Sequence, residues 1–159
     1  MGITERNVTL TKKTITIILY LLLAGFIVLF LFLKPVFIGE PSGMKEDFFA
    51  PPGVSLTPEQ QEYKSNLKSV KCVLKNESSQ NYAYVMAYRL EYEKNGVWHT
   101  AIGEYRSNDP REILKGCSRG SSVELDLSME PFGRYFRKGK YRILFNVDYD
   151  ISVCEFEVN

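Results

Sequence analysis

The chain contains one histidine, His99, in 159 residues. That scarcity removes most hydrolytic chemistry, because a nucleophile–imidazole pair needs a histidine beside a serine or cysteine motif and a carboxylate. No such motif surrounds His99. The three cysteines, Cys72, Cys117 and Cys154, match no zinc spacing, so no metal or cofactor is expected. Charge of one sign is also missing. Lys and Arg number 20 against 19 Asp and Glu, and from Gly39 onward the balance is 16 to 18. A nucleic-acid binder would show a basic excess, and none is present. The sequence therefore predicts a protein without catalytic residues.

One long hydrophobic run stands out. Ile15 to Leu33 carries no charge over 19 residues, with Lys12 and Lys13 before it and Lys34-Pro35 after it. As a helix it would span about 28 Å, close to a hydrocarbon core of about 30 Å. It is apolar on every side, unlike an amphipathic surface helix. It also exceeds the ~7–15 residues of a signal-peptide core. The reading is a transmembrane helix over 15–34 that ends near Lys34, with the lipid bilayer as its partner. Arg6, Lys12 and Lys13 outweigh Glu5 in the preceding tail, which predicts a cytoplasmic N-terminus and an extracytoplasmic remainder.

Four segments follow: a cytoplasmic tail 1–14, the helix 15–34, a Pro/Gly-rich linker 35–57 and a folded domain 58–159. The linker holds Pro35, Pro41, Pro51 and Pro52 with Gly39, Gly43 and Gly53. Phe48 and Phe49 within it would meet the membrane interface or dock on the domain. Thr57-Pro58-Glu59-Gln60 has the pattern of a capping box, predicting a short helix from Pro58 to Ser65.

Beyond it the hydrophobic period is two. Val70, Cys72 and Leu74 alternate with Lys71 and Lys75, and Tyr82 to Tyr92 does the same over six apolar positions. Val123-Leu125-Leu127, Tyr141-Ile143-Phe145-Val147 and Cys154-Phe156-Val158 repeat the pattern. At least six short strands in about 100 residues make an all-β antiparallel sandwich. At Asn95-Gly96 a two-residue turn would put Trp98 on the polar face. A three-residue turn with a bulge at Gly96 would bury it opposite Tyr92, and this second register is the expectation.

The stretch Tyr88-Arg-Leu-Glu-Tyr-Glu-Lys-Asn-Gly-Val-Trp98, with Val123-Glu-Leu-Asp-Leu-Ser128 and Gly139-Lys-Tyr-Arg-Ile143, resembles a bacterial immunoglobulin-like domain. The resemblance covers roughly residues 66–159. It implies a seven-strand immunoglobulin-like sandwich, common in Gram-positive extracytoplasmic proteins, that serves as an accessory or stalk module without catalytic residues. The three cysteines and the basic segment before Gly139 depart from that family's pattern.

Those departures supply the candidate sites. Cys72 and Cys154 both face inward by alternation and would form a disulfide, or stand as two core thiols. Cys117, between Lys115 and Arg119, is read as an unpaired loop cysteine, with a thiol activated by the flanking cations as the alternative. The binding candidate is the segment Phe132, Arg134, Tyr135, Phe136, Arg137, Lys138 and Lys140, which joins cations to aromatics. It would meet an unknown protein, a wall polymer or an anionic surface, unless the aromatics cap the sandwich and the cations are merely solvated. Asp148 and Asp150 flank a turn, and Asn76-Glu77-Ser78 is a glycosylation sequon. The leading expectation is a tethered, non-catalytic binding or scaffolding module. The alternative is an accessory subunit that acts on another membrane protein through its helix.

Overall fold

The computed structural model describes residues 12–33, 36–44, 50–107 and 114–159. Residues 1–34 and 35–159 form two separate compact units. In the first, helix α1 covers Lys12–Leu33, and its stretch to Phe32 is long and apolar enough to cross a membrane. It stops at Leu33, as Pro35 requires of the chain before it.

Among the described residues, the second unit has eleven strands in two sheets. The smaller sheet orders β2 (Val54–Pro58), β4 (Ser69–Asn76) and β9 (Ser122–Ser128). The larger runs β1 (Ile38–Pro41), β6 (Val97–Ala101), β5 (Tyr82–Lys94), β10 (Gly139–Val147), β11 (Asp150–Val158) and β3 (Glu62–Tyr63). Strand β5 is 13 residues long. One edge of it takes β6, β7 (Tyr105–Arg106) and β8 (Lys115–Cys117) in succession, while β10 runs along the other. Every pairing is antiparallel except β11 with β3. The core lies where the alternating apolar rows meet: Val70, Leu74, Leu90, Leu127, Ile143, Phe145 and Val158 are fully buried. The sandwich and its inward rows are those the period of two predicts.

Three local expectations are corrected. The helix over 58–65 does not form, because Val54 and Leu56 bury themselves as a strand on β4 and Pro58 is the last residue of that strand, opposite Cys72. Pro58 sits on an edge strand, where its missing N–H costs nothing. The stretch 35–57 is no simple spacer. Val36 is buried in the core, β1 pairs with β6, and β2 follows. Phe48 and Phe49 lie outside the described residues. The hairpin at Asn95-Gly96 takes the two-residue turn, with both residues at positive φ (54° and 76°), and pairs Glu93 with Trp98.

Trp98 avoids a polar face because that face is not simply polar. Glu91 and Arg142 are both buried there, and the Trp98 ring lies 4.5 Å from the Arg142 guanidinium. Trp98 is half-buried there as a cover over the ion pair, which shields part of its ring from water without the bulged register.

Candidate functional site

The segment between β9 and β10 is held to the sandwich at both its side chains and its backbone. Phe132 and Phe136 are each 3 % exposed. Phe132 packs at 6.1 Å from Tyr88 and Phe136 edge-on at 5.7 Å from Tyr141. These two members of the candidate set therefore belong to the core and are not available to a ligand. The backbone between and after them has four clamps. Val36 N–H donates to the Tyr135 carbonyl (3.0 Å) and Phe136 N–H to the Ser65 carbonyl (2.7 Å). The Tyr141 hydroxyl donates to the Arg137 carbonyl (3.1 Å), and that of Tyr92 to the Lys138 carbonyl (3.3 Å). Burial raises the Tyr141 phenol well above its ordinary value, so this donor keeps its proton throughout the neutral range.

With the phenylalanines inside, the remaining side chains face outward. Arg134, Tyr135, Arg137 and Lys138 are exposed. Among the described residues no carboxylate lies within ion-pair distance of Arg134, Arg137 or Lys138. Lys140 differs, reaching Glu93 at 3.9 Å. Phe37 follows Val36 just before β1, and its carbonyl accepts from Ile102 N–H at 2.8 Å. Phe37 is 47 % exposed and Ile102 62 %. Arg134, Arg137 and Lys138 are exposed cations, and Phe37 and Ile102 are exposed apolar side chains on backbone tied to the same segment, the ridge between β9 and β10.

Phe37 and Ile102 were missed by sequence reasoning. The alternation of Val36 and Ile38 was the available signal for a strand there, but Pro35 and Gly39 disguised it as linker. The ridge also depends on Gly103, whose φ is +131° and where a Cβ would sit 2.6 Å from the Pro131 carbonyl oxygen.

The other candidates resolve by position. Cys72 and Cys154 are both buried, with sulfurs 3.2 Å apart. Cys117 is buried in β8 with the Ser121 hydroxyl 3.7 Å from its sulfur, which leaves no exposed thiol to activate. Asp148 occupies the β10–β11 turn at φ 50°, and its carboxylate accepts from Ala83 N–H at 2.9 Å, so turn chemistry accounts for it. Asn76 is buried and its amide donates to the carbonyls of Gln80 and Cys117, which closes the sequon to modification. No cluster of three His, Cys, Asp or Glu side chains suited to a metal exists among the described residues. An open groove nearby, lined by Glu59, Glu62, Tyr63, Lys64 and Lys68, mixes both signs of charge and offers no convergent chemistry.

A family model described as a bacterial Ig-like domain matches residues 50–157. No curated protein matches the sequence. Several solved structures are similar to parts of the chain at low identity. The alkylpurine DNA glycosylase AlkC of Pseudomonas fluorescens is 12 % identical over 69 % of this chain and 31 % of its own, with a TM-score of 0.40. A β-glucosidase from Listeria innocua is 15 % identical over 67 % and 16 %, at 0.36. Another from Erythrobacter marinus is 11 % identical over 66 % and 15 %, at 0.35. The chain thus spans less than a third of each of these proteins.

Proposed function

From a chain that belongs to the bacterial Ig-like domain family over residues 50–157, we infer a membrane-anchored, non-catalytic module that binds or scaffolds at the outer face of a cell membrane. Helix α1 is the proposed anchor, with its basic flank in the cytoplasm. The observation that carries the reading is the clamped ridge. Arg134, Arg137 and Lys138 stand exposed on backbone held by hydrogen bonds and by the buried Phe132 and Phe136, with no carboxylate of the described chain to neutralise them. A solvated charge needs no such support. The proposed contact is a phosphodiester-bearing surface, whether lipid headgroup or wall polymer, since both present the same anion.

A pull-down from detergent-solubilised membranes tests the division of labour. Three full-length forms are compared: the native chain, one with Ile15–Leu33 replaced by an unrelated apolar helix, and one with Arg134, Arg137 and Lys138 changed to Glu. The module reading expects the first two to recover the same material and the third to lose it. Recovery that follows the native helix instead would make the chain an accessory subunit acting through α1.

A further inference from the structure

We propose that Cys72 and Cys154 are a preformed dithiol that closes into a disulfide joining the two sheets. Cys72 belongs to β4 of the smaller sheet and Cys154 to β11 of the larger. Their sulfurs meet at 3.2 Å inside the core, 2 % and 0 % exposed. About 1.2 Å of further approach makes the bond. Cys117 does not compete, since it lies in β8, where its sulfur contacts the Ser121 hydroxyl. The bridge links strands that no backbone ladder connects, and it closes a loop of 82 residues, long enough for a large effect on the unfolded chain.

The step is thiol–disulfide exchange with an external disulfide, either a small-molecule disulfide or an extracytoplasmic oxidoreductase. One cysteine thiolate attacks the donor and forms a mixed disulfide, releasing one donor thiol. The second cysteine then attacks and releases the other. Two protons and two electrons pass from the cysteines to the donor, leaving one Cys72–Cys154 bond. The hydrogen-bonded Cys72 sulfur, and then burial, raise the Cys154 thiol far above its ordinary value. The exchange therefore belongs to folding or to an opened state, and the closed domain resists it from either side.

The full-length chain in detergent, held at its urea midpoint with reduced and oxidised glutathione, tests this. It is then alkylated under denaturing conditions and mapped by mass. The expected result is a single alkylated cysteine, Cys117, and a Cys72–Cys154 cross-linked peptide two hydrogens lighter than its parts. The oxidised chain should melt more than about 10 °C above the reduced one. The Cys117→Ser chain should give the same cross-link with no alkylated cysteine. Three alkylated cysteines, or a bridge through Cys117, overturns the proposal.

Discussion

Arg142 Nε lies 2.6 Å from Glu91 Oε2, and both side chains are buried on the face of the larger sheet that turns away from the core. Each partner has a second contact. The Ser42 hydroxyl donates to Glu91 Oε1, and Trp98 covers the guanidinium. The pair thus ties residues 38–42, which the sequence dresses as a linker, to the centre of the sheet. Removing one partner strands a buried charge. Glu91→Leu or Arg142→Met alone should each cost about 3–5 kcal/mol in urea unfolding of the full chain. The double change Glu91→Leu with Arg142→Met should cost much less than the sum. Additive losses would show that the pair is not a coupled unit.

Alkaline pH should unfold the domain through its buried tyrosines. Burial raises the phenols of Tyr88 and Tyr141 well above their ordinary value of 10.0, and those of Tyr63 and Tyr84 in the same direction. Above about pH 10 the unfolded chain releases protons that the folded chain keeps, so stability falls as pH rises. The contribution is present in full below that pH and is lost above it, by up to about 1.4 kcal/mol per pH unit for each held proton. Tyr141→Phe should flatten the slope of urea stability between pH 10 and 11. An unchanged slope would remove Tyr141 from the account.

Gly103 and Gly116 should differ in their tolerance of alanine. At Gly103 the added carbon meets backbone at 2.6 Å with φ at +131°, whereas at Gly116 nothing lies within 4 Å. Gly103→Ala should cost about 1–3 kcal/mol, and Gly116→Ala should stay within about 0.5 kcal/mol of the parent. Equal melting temperatures for the two would contradict the close approach of Gly103 to Pro131.

Within the ridge, stability and binding should separate. Phe136→Ala removes a core ring and should cost about 3–5 kcal/mol. Arg134→Ala and Arg137→Ala touch no carboxylate of the described chain and should shift unfolding by no more than about 0.5 kcal/mol. Thermal melts of the three variants decide this.

Much of the sandwich was legible because its inward rows follow a period of two: Val70-Cys72-Leu74 and Tyr141-Ile143-Phe145-Val147 are buried, although Arg142 and Leu144 between the latter are buried too. The failures share one cause, which is that a local signal was outweighed by a distant partner. Thr57-Pro58-Glu59-Gln60 caps no helix because Leu56 pairs with Leu74 across β4. Trp98 stands on the outer face because Arg142, 44 positions later in the chain, is buried beneath it. The basic segment was visible as composition, but the inward turn of Phe132 and Phe136 was not, since it depends on Tyr88 and Tyr141.

The proposed contact of Arg134, Arg137 and Lys138 is a phosphodiester surface. Its most direct test uses the full chain in zwitterionic nanodiscs titrated with a glycerol-phosphate polymer, and a parallel set of nanodiscs containing anionic lipid, read by protection of residues 134–138 from hydrogen exchange. Polymer binding or lipid-dependent protection is expected in one of the two arms, and it should fade with added salt. Changing all three cations to Ala should weaken it by about 3 kcal/mol, roughly 100-fold. Silence in both arms, or binding that the triple variant retains, would contradict the claim.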